Sequence, residues 1–293
     1  MNATPLVSVV VATYNMGRYV CTAVDSVLQQ DYPELEVVVV DDGSTDDTAE
    51  RLARYGGDAR VRIFRQDNAG QTVAKNRGLS EARGEMVGFC DADNYWLQGK
   101  LRTQINAFSQ RPDLGVVYGE LKFIDGEGNN LPASTVTRYS GRITAQLLLD
   151  NFVTFNTTLV PRRILEEIGG FDESLSMAID YDLWLRISVR YEFLYLPRPL
   201  VAYRIWNGQM SHRTGERFDN FFRLFEKFLA NHGDCVTSAE IRKGWAHTYV
   251  SRGRWRASQK QYVGALSDYT RAFRYRPHDI RLLKSLTKLA LGK

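Results

Sequence analysis

Three apolar runs rich in β-branched residues, Leu6–Ala12, Leu35–Val40 and Met86–Cys90, each end in a polar cluster. Runs this short and continuous suit strands buried on both faces. Helical spacing separates them: Arg18–Gln30 places Val20, Ala23, Val24, Val27 and Leu28 on one side. Thr45–Tyr55 reads as a helix with an acidic first turn, Val61–Arg65 as a strand and Gly70–Ala82 as a helix. Strand and helix alternating at short intervals imply an α/β fold, a largely parallel sheet covered by helices. Ligands of such sheets collect at the carboxyl ends of the strands. Thr13-Tyr14-Asn15, Asp41-Asp42 and Asp91-Ala92-Asp93 stand at those ends.

The middle of the chain is less regular. Leu101–Gln110 reads as a helix, Leu114–Ile124 as a strand and Asp125–Asn130 as a turn. Val160–Gly169 and Asp180–Arg190 read as helices, and Leu194–Arg204 as strand pieces divided by Pro197 and Pro199. After Ser211 the spacing is helical over Phe218–Asn231, Ala239–Ser251, Arg256–Tyr275 and Asp279–Leu291, punctuated by Gly253 and Pro277. The expected domains are 1–212, with halves of about 1–100 and 101–212, and a helical region 213–293. One partial helical hairpin with tetratricopeptide-like small residues is weak evidence for a repeat.

Charge separates the same two regions. Asp234 to Lys293 carries 13 Lys+Arg against 4 Asp+Glu, net +9; Met1 to Gly233 carries 25 against 30, net −5. A uniformly basic nucleic-acid binder is therefore disfavoured. Three widely spaced cysteines, Cys21, Cys90 and Cys235, suggest neither a disulfide framework nor a zinc site. No run of 18 apolar residues occurs, and the first residues lack a secretory pattern, so the expected location is cytoplasmic.

Two carboxylates one residue apart, Asp91 and Asp93, can converge on a divalent cation; the plain alternative is a solvated acidic turn. Asp41 and Asp42 precede Gly43-Ser44-Thr45, which reads as a turn with a helix cap. That cap does not require two successive acids, and a carboxylate accepts well from a pyrimidine N–H. No glycine-rich phosphate loop follows any strand, so phosphates bound here would need a metal for neutralisation.

VSVVVATYN, VVVVDDGSTDDT, NAGQTVAKNRGL, GEMVGFCDADNYW, GGFDES and IDYDLWLR occur in that order. This succession resembles the inverting glycosyltransferases of family 2, which have the GT-A fold, over about residues 5–210. The resemblance implies that Thr13, Tyr14 and Asn15 border a nucleoside and that Asp41 and Asp42 bind its base, usually uracil. It implies a nucleotide-sugar pocket lined by Asn68, Gly70, Lys75 and Asn76, with Lys75 beside the diphosphate. Asp91-Ala92-Asp93 would hold ribose and Mg²⁺ or Mn²⁺, Asp93 being the direct ligand. Trp96 is expected to pack. Asp180 aligns with the general base; Ile179 stands where relatives often carry an acid. Asp180 and Asp182 would otherwise serve as an acidic first turn.

Relatives often have a histidine near the position of Trp206, in a segment that closes over the diphosphate. Arg204 or His212 is the expected substitute, and Trp184 a further contact to diphosphate or acceptor. Ser251-Arg252-Gly253-Arg254-Trp255 departs from the Q-x-x-R-W of processive membrane synthases, which disfavours that activity. The implied reaction transfers a sugar from a nucleotide-sugar, expected to be a UDP-sugar, to a saccharide or lipid-linked acceptor in surface polysaccharide synthesis. A catalytically silent nucleotide-sugar-binding or scaffold subunit is the competing expectation. The basic tail is expected either to coat a helical appendage, to rest on the inner face of a membrane or to self-associate.

Overall fold

The computed structural model describes residues 4–133, 136–209 and 214–290. The chain divides into two compact units, Met1–Ile143 with Phe152–Asn220, and Thr144–Asn151 with Phe221–Lys293.

The first unit is built on one sheet of eight strands: β1 (Val7–Thr13), β2 (Leu35–Asp41), β3 (Val61–Arg65), β4 (Met86–Phe89), β5 (Tyr95–Trp96), β6 (Leu114–Ile124), β7 (Leu159–Pro161) and β8 (Glu192–Arg204). Their spatial order is β3-β2-β1-β4-β7-β6-β8-β5. β1 pairs in parallel with β2 and β4, β2 with β3, and β6 with β8. β7 runs antiparallel to β4 and β6, and β5 to β8. Because β7 reverses direction twice over, the carboxyl ends of β1, β2, β4, β6 and β8 share one rim.

Burial explains the strands. Val7, Val9, Val11, Val37 and Val39 are inaccessible and form one core with Val20, Ala23, Val24 and Val27 of α1 (Gly17–Leu28). α2 (Thr48–Leu52) is short and passes into a tight turn at Ala53–Tyr55. α3 (Gln71–Glu81) lies close on β1: a Cβ at Gly78 would stand 2.3 Å from Val10 Cγ1, so that position excludes any side chain. α4 (Lys100–Gln110) buries Leu101, Ile105 and Phe108, and α5 (Thr144–Leu147) is a single turn.

Two expectations for the middle of the chain are corrected. Val160, read as the start of a helix, is a strand residue of β7, because pairing of this strand with both β4 and β6 outweighs local spacing. Pro161 caps α6 (Arg162–Ile168), and Gly169 and Gly170, at φ +85° and +70°, end it. Pro197 and Pro199 do not divide β8; register shifts at Gly119, Glu120 and Leu121 of β6 absorb them as bulges. α7 (Ile179–Ser188) then begins after Ala178, whose φ is +58°.

The second unit contains most of α8 (Thr214–His232), then α9 (Ser238–Ser258), α10 (Tyr262–Tyr275) and α11 (Ile280–Ala290). Thr237 and Glu240 form a reciprocal cap at the start of α9. Gly253 does not punctuate: it sits inside α9, where a Cβ would stand 2.5 Å from the Tyr269 ring. Val250, Ala265, Tyr269, Ala272 and Leu282 form the core. Asp268, 1% exposed, receives both Arg252 and Arg256. Arg254 ties α11 to α9 through Ser285 Oγ and Arg281 O.

Candidate active site

The parallel ends of β1 and β2 place Thr13 and Asp41 side by side in register. Both are buried, and Thr13 Oγ1 and Asp41 Oδ2 have no hydrogen-bond partner. Asp41 Oδ1 accepts from Ser44 N, and Arg65 Nη1 stands 3.4 Å from Oδ2 without a bonding geometry. A buried hydroxyl and a buried carboxylate oxygen, neither hydrogen-bonded and the latter near only the Arg65 guanidinium, suit a ligand that offers the complement. Asn15 (φ +53°) ties the two strand ends together: its side-chain oxygen accepts from Thr45 N at 2.8 Å and Asp46 N at 3.3 Å. Tyr14 is 44% exposed beside it.

Asp42 is engaged differently. Its carboxylate accepts from Ala69 N, Gly70 N and Gln66 Nε2 at 2.8–2.9 Å, and Asn68 Nδ2 donates to its carbonyl. Asp42 and Asn68 thus shape the 66–70 loop, whose Gly70 (φ +91°) opens α3.

α3 organises the remainder. Lys75 is buried, with Nζ 3.1 Å from Asp91 Oδ1 and 4.3 Å from the Phe155 ring centre. Asn156 holds the other side of Asp91, donating to Oδ2 at 2.7 Å and accepting from its N–H at 2.6 Å. On the same face of α3, Gln71 Oε1 accepts from Lys75 Nζ at 3.3 Å, Thr72 Oγ1 donates to Leu175 O and Gln71 Nε2 to Ser176 O. Asn76 donates to Phe171 O and Glu173 Oε1 and accepts from Phe171 N. Asn76 thus anchors the loop that leads into α7. Phe89, Phe155 and Phe171 pack with ring centres 4.6–5.9 Å apart, linking β4 to that loop.

Asp180, half-buried, and Asp182 stand in the first turn of α7. Asp182 is 4% exposed and pairs with Arg186, which also donates to Ile168 O and Gly170 O. Asp182 therefore fixes the glycine turn. Trp184 is fully buried among Phe155 and Phe193, with its N–H unpartnered. The expected contact from Trp184 to diphosphate or acceptor is corrected: the indole belongs to the core because it points inward from α7.

The β8 end closes over Asp93. Trp206 Nε1 donates to Asp93 Oδ2 at 2.9 Å, and its ring packs on Tyr19, 5.7 Å between centres. Arg204 donates to Asp93 O at 3.0 Å and to the carbonyls of Asp125 and Gly126, and lies over the Tyr19 ring. Arg204 thus fastens the Asp93 and Asp125–Gly126 backbone to the end of β8 through Nε and Nη1. Gln209 donates to Arg204 O. Ala92 is buried under this turn and Trp96 packs, donating to Phe89 O. His212 lies outside the described residues.

Burial pushes the Asp93 carboxyl up, and the charge of Asp91 pushes it further, against the Trp206 and Gln209 hydrogen bonds. Two crowded carboxylates offer hard oxygen donors to Mg²⁺ or Mn²⁺, whose charge would relieve their repulsion. Among the described residues no group of three or more His, Cys, Asp or Glu converges on a metal position. A cation here would take its other ligands from water and phosphate, the usual habit of Mg²⁺. The residues present fit such an ion.

Asn156, Phe155 and Trp206 were not assigned from the sequence. Asn156 lies 65 residues from Asp91, and Phe155 80 residues from Lys75, with no motif around them. Trp206 had a signal: it follows the end of a strand parallel to β6.

The sequence matches the family model described as "Glycosyl transferase family 2" over residues 8–169, more than half of the chain. The chain belongs to glycosyl transferase family 2. It is 30% identical over 255 residues to an uncharacterized glycosyltransferase of Rickettsia typhi, covering 84% of this chain and 78% of that protein. It is 30% identical to a chondroitin synthase of Escherichia coli over 78% of this chain, but spans only 33% of that protein. Among solved structures, S. aureus TarS 1–349 in complex with UDP-GlcNAc aligns with TM-score 0.71 and 20% identity, covering 98% of this chain and 89% of that one. The mannosyltransferase PcManGT of Pyrobaculum calidifontis, in complex with GDP-Man and Mn²⁺, aligns with TM-score 0.60 and 20% identity, covering 100% and 89%. The family 2 chain therefore has the GT-A fold, a mixed sheet flanked by helices, with additional C-terminal helices. It is a glycosyltransferase related to polysaccharide synthases.

Proposed function

We propose that this glycosyltransferase moves a sugar from a nucleotide-sugar, a UDP-sugar, to a saccharide or lipid-linked saccharide hydroxyl with inversion at the anomeric carbon. The observation that carries the reading is α3: from one face of it Lys75 binds Asp91 while Gln71, Thr72 and Asn76 bind the loop feeding Asp180. Donor-side carboxylates and a second carboxylate at a helix start are thereby held on one scaffold. Direct displacement needs that arrangement.

In this reading Thr13 and Asp41 receive the base, through the hydroxyl and carboxylate oxygens left unpartnered. Asp93, with Asp91, holds a divalent cation, which supplies positive charge to the diphosphate oxygens. Lys75 adds a buried cation beside the same carboxylate. Asp180 takes the proton of the acceptor hydroxyl as that oxygen attacks the anomeric carbon. The bond to the diphosphate breaks on the opposite face, so the configuration inverts and no enzyme-bound sugar forms. The complexes of TarS with UDP-GlcNAc and of PcManGT with GDP-Man and Mn²⁺ support the donor class and the cation.

A donor panel with Mn²⁺ and a glycan acceptor tests the proposal, with the product's anomeric configuration read by NMR. The expected result is nucleoside diphosphate release coupled to a product of inverted configuration. Retained configuration contradicts direct displacement; absence of release with every donor favours a silent binding subunit.

A further inference from the structure

Eleven large apolar side chains are exposed among the described residues, and six of them fall between Tyr262 and Leu283. Val263 is 87% exposed, Ile280 65%, Tyr262 and Leu266 each 53%. Phe273 and Leu283 complete the set. In α10, Ala265, Tyr269 and Ala272 point into the core; Val263, Leu266, Thr270, Arg271 and Arg274 share one stretch of surface away from it, with Phe273 on its flank. The helix is thus apolar on two sides, and only one is covered within its unit.

Charge says what covers the other. From Tyr262 to Lys288 the only acids are Asp268 and Asp279. Both are buried in arginine pairs, Asp268 with Arg252 and Arg256, Asp279 with Arg281. Arg271, Arg274, Arg276, Lys284 and Lys288 remain exposed. The surface of α10 and α11 therefore carries apolar side chains among cations, with no exposed acid. A second copy of the chain would bring like charges together on that face, which opposes self-association.

We propose that the outer face of α10, continued by α11, docks on an anionic lipid surface, with Val263, Leu266 and Phe273 entering the interface and Arg271 and Arg274 meeting lipid phosphates. Protruding aliphatic and aromatic side chains on a convex helix suit the headgroup boundary, and arginine reaches from it to phosphate. This surface is independent of the proposed donor and base residues, so it stands or falls separately from them.

Co-sedimentation of the full chain with sucrose-loaded vesicles decides the matter. Vesicles of phosphatidylcholine with about 30% phosphatidylglycerol should bind the chain at least about tenfold more strongly than pure phosphatidylcholine. Binding should weaken as salt rises. Val263→Asp with Leu266→Asp, and separately Arg271→Glu with Arg274→Glu, should each reduce binding about tenfold or more while circular dichroism and melting stay those of the parent. Equal binding to both vesicle types overturns the proposal, as does undiminished binding by both folded double variants. A chain that ignores vesicles but elutes as a dimer dispersed by Val263→Asp with Leu266→Asp, or that binds only an acidic protein, also overturns it.

Discussion

Asp93 sits where three influences meet: burial, the neighbouring Asp91 charge and the Trp206 N–H. The first two raise the cost of its charge, and a divalent cation would lower it. Asp93→Ala should therefore weaken UDP binding about tenfold in the presence of Mn²⁺ and scarcely in its absence, by calorimetric titration. Equal losses under both conditions would remove the cation from the account of this residue. The place of Asp93 at the strand-end rim was legible because two acids follow an apolar strand. The division of labour between Asp41 and Asp42 was not. Consecutive aspartates look alike in a sequence, yet Asp41 keeps an unpartnered oxygen whereas Asp42 accepts three donors from the 66–70 loop. The backbone anchoring by Arg204 and the inward turn of Trp184 were hidden for a related reason: whether an arginine meets backbone carbonyls, or a tryptophan faces inward, depends on partners about 80 and 30 residues away.

At the level of elements, β1–β4, α1 and α3 were legible to within about two residues, whereas α2, read over Thr45–Tyr55, is an α-helix only over Thr48–Leu52. β7 was missed because Leu159-Val160-Pro161 becomes a strand only when β4 and β6 flank it. β8 survives two prolines because β6 shifts register opposite them. α4 presents a different case. Its first residue, Lys100, is wholly buried, donating to Gln104 Oε1 at 2.7 Å and Thr158 O at 3.3 Å, with the Trp96 ring 3.8 Å away. Burial pushes its ammonium down to about 7 from the ordinary 10.5. Between those values the unfolded chain holds more protons than the folded one, so folded stability rises with pH. The parent should gain about 2 kcal/mol relative to Lys100→Met between pH 7 and pH 9, measured from urea unfolding. A difference that stays flat with pH would show that Lys100 remains charged in the fold.

On the scale of the whole molecule, the uneven charge acquires a physical meaning. The acidic excess before residue 234 includes the carboxylates of the strand-end rim, a composition suited to an anion held through a cation. The basic excess after it belongs to helices whose two carboxylates past Tyr262 are buried in pairs. The family, the GT-A fold and the strand-end rim were readable from six ordered blocks. The exposed apolar face of α10 was not, because its two apolar sides merge into one helical pattern until packing covers one of them.

The central claim is that Asp180 serves as the base of an inverting transfer. Asp180→Asn keeps the size and hydrogen-bonding reach of the side chain while removing its ability to take a proton. Transfer should fall by about 10²–10⁴-fold in kcat, with UDP affinity in Mn²⁺ unchanged. A variant that keeps the parent's turnover, or that loses UDP binding along with transfer, would contradict the assignment.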